Sequence, residues 1–173
     1  FLSRPRRFGK SLLLSTLEAY FEGKKELFKG LAIEALEKDW EKHPVLHLDL
    51  NSGRYMIPED LDVILHQHLN NWEAQYGITQ RYNDFAARIN DIIDAAYSKT
   101  GKKVVILIDE YDKPIVNNIG NEPLTDYYRK TLQSLYGVMK AKDGKIRFGF
   151  LTGVSKIGKL SVFSGLNNLT DIS

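Results

Sequence analysis

A three-layer α/β/α sandwich around a mostly parallel sheet is the fold class that the sequence predicts, and three observations carry it. Short apolar segments with strand character alternate with longer amphipathic segments of helical period. One of the short segments, Val104-Val105-Ile106-Leu107-Ile108, is apolar without interruption, as a strand covered on both faces must be. The residues with chemical potential, Gly9 to Ser11, Asp109, Glu110 and Thr152, all fall just past the carboxyl ends of strands, where ligands bind in parallel sheets.

Phe1 to Ser3 read as the end of a strand; beginning without methionine almost on top of the loop and stopping in a polar stretch after Leu169, the sequence reads as an excerpt truncated at both ends. Ser11 to Phe21 read as a helix with Leu13, Leu14, Leu17 and Phe21 on its apolar stripe. Glu26 to Lys42 is expected to be a second helix, weakly interrupted at Gly30 and barred from continuing by Pro44. Val45 to Leu50 alternates like a half-buried strand and ends at Asn51-Ser52-Gly53. Pro58-Glu59-Asp60 opens a helix with acids in its first turn; Leu61, Ile64, Leu65, His68, Leu69 and Trp72 form its apolar face, and Gly77 stops it. Asn83 to Ser98 is a further helix, striped by Phe85, Ile89, Ile92, Ile93 and Ala96 and closed by Gly101. After the strand Val104 to Ile108 come a helix over Leu124 to Lys140 and a last strand over Ile146 to Leu151. Gly153 to Asn168, rich in Gly, Ser, Asn and Lys without helical period, is expected to be a mobile loop near the site.

With 173 residues, 43% of them apolar, one well-buried core and one domain over 1–173 are the default. No apolar run approaches the roughly 20 residues that span a bilayer, and no secretory signal opens the chain, so no membrane role is expected. The absence of cysteine excludes disulfides and thiolate metal sites and fits a reducing compartment, the cytoplasm. Net charge is only +2, but Arg4, Arg6, Arg7 and Lys10 cluster at the start, and Lys140, Lys142, Lys145, Arg147, Lys156 and Lys159 gather late. If both stretches meet at one rim, they put a positive field around a polyphosphate; the other reading is a scatter of solvated lysines.

Gly9-Lys10-Ser11 follows an apolar strand end and opens an amphipathic helix. A Gly-Lys-Ser/Thr tripeptide occurs by chance in about one chain of this size in ten, so its placement is what counts. Here the first-turn amides of Gly9, Lys10, Ser11 and Leu12, with Arg7 and Phe8 before them, face an anion with the helix dipole behind them. Lys10 is suited to β- and γ-phosphates, and Ser11 with Asp109 to Mg²⁺. Glu110 is the candidate to polarise an attacking water. Thr152 is read either as a contact to the γ-phosphate or that water, or as simple strand-end polarity. Asp112 reads as a helix cap or local ion pair rather than a catalytic group. The loop departs from the GxxxxGK[ST] pattern: Arg4 stands where the first glycine belongs, and Arg6 and Arg7 either touch phosphate or face solvent or a partner. His66 and His68, two apart on a helix, cannot share a face; His47 and His68 read as packing or surface residues.

On Arg4-Pro5-Arg6-Arg7-Phe8-Gly9-Lys10-Ser11 the chain resembles the bacterial AAA-ATPase-like family of P-loop NTPases. The resemblance extends through Leu27-Phe28-Lys29-Gly30-Leu31-Ala32-Ile33, Leu107-Ile108-Asp109-Glu110-Tyr111-Asp112, Thr152-Gly153-Val154-Ser155-Lys156 and Phe163-Ser164-Gly165-Leu166-Asn167-Asn168-Leu169. It implies an AAA-related ATP-binding domain with an extra strand between the loop strand and the acidic strand. It also implies that the missing first glycine is a family trait, and that an effector domain, often C-terminal and nuclease-like, accompanies the fold. The expected function is Mg²⁺-dependent ATP hydrolysis coupled to a fused or separate effector. The alternative is a nucleotide-gated switch with negligible hydrolysis. Self-association and nucleic-acid contact stay open as partner classes.

Overall fold

The computed structural model describes residues 1–79, 82–155 and 170–173. At its centre is β3 (Val104–Asp109), in which every residue is buried, as its unbroken apolar sequence requires. Its alternate side chains serve two different cores. Val104, Ile106 and Ile108 point into a large cluster with Leu61, Leu65, Ile92, Ile93, Leu132 and Leu135, from helices α3 (Pro58–Tyr76), α4 (Phe85–Thr100) and α6 (Glu122–Ala141). Val105 and Leu107 meet Leu14 and Phe21 of α1 (Lys10–Phe21), with Phe150 from the neighbouring strand. Helices therefore cover both faces, and the three-layer sandwich stands.

Among the described residues the sheet has four strands, all parallel, in the order β1 (Leu2–Ser3), β4 (Ile146–Gly153), β3, β2 (Val45–Asp49). β4 separates the loop strand from the acidic strand, the extra strand that the resemblance implied. Parallel pairing brings all four carboxyl ends to one edge: Ser3 lies opposite Gly153, and Asp49 opposite Asp109.

One expected helix is absent. Over Glu26 to Lys42 the chain forms a 3₁₀ turn (Lys25–Phe28), then the short helix α2 (Ala32–Leu36), then irregular backbone. Gly30 takes a left-handed φ of 81° between the two pieces. Phe28 and Trp40 are drawn into an aromatic cluster with Tyr20 of α1, ring centroids 5.1 to 6.3 Å apart, and no single helix satisfies that arrangement. The other helices lie close to their expected places. Asp84 caps α4 by accepting the Ala87 N–H at 2.7 Å, and Asp60 accepts the Met56 N–H at 2.6 Å at the entry to α3. On α1, Leu14 and Phe21 are buried as expected, but Leu13 faces outward.

Asp112 departs from its expected role. It begins the short helix α5 (Lys113–Val116) without any side-chain cap bond, and its fully buried carboxylate accepts instead from Val154 N–H at 3.1 Å and Ser155 N–H at 2.7 Å. A carboxylate buried this deeply must have its oxygens satisfied, and the chain leaving β4 supplies the donors. The close passage explains Gly153, where an added Cβ would come 2.4 Å from the Tyr111 ring and 2.7 Å from Asp112 Oδ1. The expected mobile loop thus begins with two residues pinned by Asp112; positions 156–169 of it lie outside the described residues.

The two basic stretches do not share a rim among the described residues. Lys142 and Lys145 sit at the amino end of β4 and pair with Asp94 of α4 at 2.7 and 2.8 Å, the far end of the strand from Gly9 to Ser11. No described helix is long and apolar enough to cross a membrane.

Two stability outcomes follow from this packing. Leu14→Ala removes one of the packing contacts of α1 with β3 and costs about 2–5 kcal/mol, measured by denaturant unfolding. Asp112→Ala strands two N–H groups and lowers stability by about 1–3 kcal/mol, read as a depressed thermal midpoint.

Candidate functional site

The site is assembled at the carboxyl edge of the sheet, where β1 turns into α1 and β3 ends. Gly9 reaches the helix through a left-handed φ of 74°, which costs glycine nothing, and its carbonyl takes the first intrahelical bond, from Leu13 N–H at 2.9 Å. The N–H groups of Lys10, Ser11 and Leu12 have no carbonyl one turn back, so they remain available to an anion. Arg7, two residues earlier, is also left-handed at φ 66°.

Asp109, buried at the end of β3, organises the floor. Ser11 donates its hydroxyl to Asp109 Oδ2 at 2.5 Å, across 98 residues of sequence. Thr152 of β4 donates to Asp109 Oδ1 at 2.5 Å and accepts from the Glu110 N–H at 3.4 Å. Thr152 is 0% exposed and does not line the cleft; of its two expected roles, a phosphate or water contact and simple strand-end polarity, neither included the bonds its hydroxyl makes to the two acids.

Lys10 is 4% exposed and triply satisfied. Its ammonium donates to the carbonyls of Arg4 at 2.8 Å and Pro5 at 3.1 Å and pairs with Glu110 Oε1 at 3.1 Å. Glu110 itself has φ 54°, an uncommon conformation for a residue with a side chain. Its Oε2 is buried with no hydrogen-bond partner among the described residues. A strained backbone and a half-satisfied carboxylate at one residue make Glu110 a candidate functional group.

Above this floor opens a cleft of about 530 Å³, lined by Arg6, Arg7, Gly9, Lys10, Ser11 and Leu12 on one side and by Asn51, Glu110, Lys113 and Asn117 on the other. Four cations face one carboxylate, so the cleft suits a polyanion. Phe8 is 67% exposed and is not part of the wall. A void of about 30 Å³ between α3 and the sheet, walled by Leu46, Leu65 and Trp72, is far too small for a nucleotide. His68 lines that void, where burial pushes its imidazole below its usual pKa, and His47 bonds Glu18 at 2.9 Å; both are packing residues. Burial likewise pushes the Tyr111 phenol far above its ordinary range, so it is a neutral donor, bonded to the Ser155 carbonyl at 2.9 Å.

The donor set also tests for a metal. Ser11 and Asp109 offer two adjacent hard oxygens, and among the described residues no three His, Cys, Asp or Glu side chains converge on an ion site. Two protein oxygens without a cage suit Mg²⁺, which takes one or two protein ligands plus phosphate oxygens and keeps its waters; they do not suit Ca²⁺ or structural Zn²⁺. Asn51 and Lys113 are two of the wall residues to which sequence reading gave no role. The signal was present, since both follow the carboxyl ends of strands.

Comparison with known proteins agrees with the geometry. The family model described as predicted AAA-ATPase matches residues 1–163. The chain is 44% identical over 174 aligned residues to "Uncharacterized protein in vnfD 5'region" of Azotobacter chroococcum mcd 1. That alignment covers 100% of this chain and 34% of the relative, so the chain spans about a third of the relative's length. No solved structure matches. A parallel α/β sheet carrying a cationic cleft at its carboxyl edge, matched by that family over almost its whole length, belongs to the AAA-ATPase-like family and is a nucleotide-binding domain of that kind.

Proposed function

We propose that the cleft binds a Mg²⁺–nucleoside triphosphate, ATP by family, and hydrolyses it in service of an effector domain, fused or separate. The observation that carries the reading is the meeting of Lys10 and Ser11 with Glu110 and Asp109 across a cleft lined with cations.

In this reading the amides of Lys10, Ser11 and Leu12 hold the phosphates at the start of α1. Arg6 and Arg7 stand at the mouth and draw the anion in. Ser11 Oγ and Asp109 would hold the metal, which when bound neutralises charge on the phosphate oxygens. Lys10 leaves the Arg4 and Pro5 carbonyls and Glu110 for the phosphates, exchanging one anionic partner for another. That exchange frees the Glu110 carboxylate. Glu110 accepts a proton from water as the water oxygen bonds to the terminal phosphorus, the bond from that phosphorus to the bridging oxygen breaks, and a nucleoside diphosphate and phosphate leave. Thr152, bonded to Asp109 and to the Glu110 amide, positions both acids.

A second reading, nucleotide binding with negligible turnover, is favoured by the same Lys10–Glu110 pair, which occupies the would-be base with a cation. Glu110→Gln separates the two. Under the hydrolytic reading it cuts turnover by about 10²–10⁴ while ATP binding persists, measured by phosphate release and calorimetry. A wild-type rate no faster than that of the variant supports the switch instead. Titration of ATP, GTP and ADP with and without Mg²⁺ tests the binding step: Ser11→Ala should abolish the gain in ATP affinity that Mg²⁺ gives, and binding of none of the three nucleotides rejects both readings.

A further inference from the structure

We propose that Lys113 contacts the terminal phosphate of the bound nucleoside triphosphate, so that the chain supplies from its own cleft wall a second phosphate-binding cation opposite Lys10. The inference rests on the nucleotide reading of the cleft and adds a residue to it.

Of the four cations lining the cleft, Lys10 is the one neutralised by Glu110. Lys113 has a different environment. Its ammonium donates to the main-chain carbonyl of Asn51 and, at 3.0 Å, to Asn51 Oδ1. Both partners are neutral oxygens of one residue, and no carboxylate among the described residues pairs with it. Arriving phosphate would offer charged acceptors in place of neutral ones, and charge-assisted hydrogen bonds are roughly twice as strong. Lys113 therefore gains a counter-ion on binding, whereas Lys10 must give one up.

The sheet fixes which end of the nucleotide Lys113 meets. Asn51 lies two residues beyond Asp49, the register partner of Asp109, so it sits one strand over from Glu110. Lys113 is tied to the same spot through its own N–H, which donates to the Glu110 carbonyl at 3.0 Å. The Gly9–Ser11 turn comes from β1, which lies on the other side of β3, past β4, and it reaches over to the end of β3 through the Ser11–Asp109 bond. A phosphate chain seated on that turn and reaching toward Glu110 presents its last phosphate to the β2 side, where Lys113 stands. A lysine head on its flexible stem can cross from Asn51 to that phosphate without moving the backbone.

The competing explanation is a tether: Lys113 merely joins the exits of β2 and β3. Lys113→Gln distinguishes them, because the glutamine amide can still donate to Asn51 but carries no charge. The measurement is calorimetric titration of the chain with Mg²⁺ and either ADP or an ATP analogue with a non-hydrolysable β–γ imide bridge. The wild type binds both. Lys113→Gln weakens the triphosphate analogue by about tenfold or more, the size of one charge-assisted bond, and leaves ADP within about twofold. Lys113→Arg restores the triphosphate affinity. Asn51→Asp is the second variant: it keeps Lys113 but gives it a carboxylate partner, and it too weakens the triphosphate selectively. Equal losses for the two ligands, or no loss in either folded variant, overturn the proposal while the nucleotide reading stands. A wild-type chain that binds neither ligand overturns both.

Discussion

The carboxylate of Asp109 is where three separate parts of the chain are made to meet. Buried at the end of β3, it would be costly to hold there unless its oxygens were filled. Ser11 from the start of α1 and Thr152 from the end of β4 fill them, reaching across 98 and 43 residues respectively. Those two bonds set the position of the α1 amino terminus over the sheet edge and hence the position of the first-turn amides. Stability and the candidate chemistry share one group: the hydroxyl that satisfies Asp109 is also the hydroxyl offered to a metal.

Around that point the site is arranged as a set of exchangeable partners. Lys10 is too deeply buried to go unpaired, and the Arg4 and Pro5 carbonyls together with Glu110 satisfy it. Glu110 keeps one oxygen unpaired among the described residues and a left-handed backbone, costs of order 1–3 kcal/mol that the neighbouring bonds sustain. A polyphosphate must compete with these internal partners. In the proposed mechanism that competition lowers affinity but ties release of the Glu110 carboxylate to arrival of the anion.

Buried polar networks elsewhere join the elements that support this edge. On the face opposite α1, α3 and α4 are locked by Arg88, which bonds both oxygens of Glu73 at 2.7 and 2.8 Å, Asn70 at 2.6 Å and His66 at 2.7 Å. His66 faces the Arg88 guanidinium through Nδ1. This explains a histidine that the helical pattern alone left without a role. Asp112, by gripping the first residues after β4, keeps the two central strands together just past the catalytic edge proposed above.

Much of this was legible in the sequence because it depends on local period and local chemistry. The unbroken Val104 to Ile108 gave a two-sided strand, the stripes on α3, α4 and α6 gave amphipathic helices, and Gly9-Lys10-Ser11 gave a turn opening a helix. The stretch Glu26 to Lys42 was misread because its helical period is weaker than the pull of Phe28 and Trp40 toward Tyr20, residues brought together only by the fold. The long-range partners of Thr152, read as a phosphate or water contact or as strand-end polarity, and of Asp112, read as a helix cap or local ion pair, were not foreseen because burial and distant partners leave no mark on neighbouring letters. By itself, then, the chain determined which segments are strands and helices and which residue types stand at their carboxyl ends, since backbone propensity and side-chain alternation act over a few residues. The pairing of Lys10 with Glu110, the filling of Asp109 from two sides and the placement of Lys113 on Asn51 were decided by tertiary structure alone, because they depend on strand order and on which buried charges must find partners at a distance.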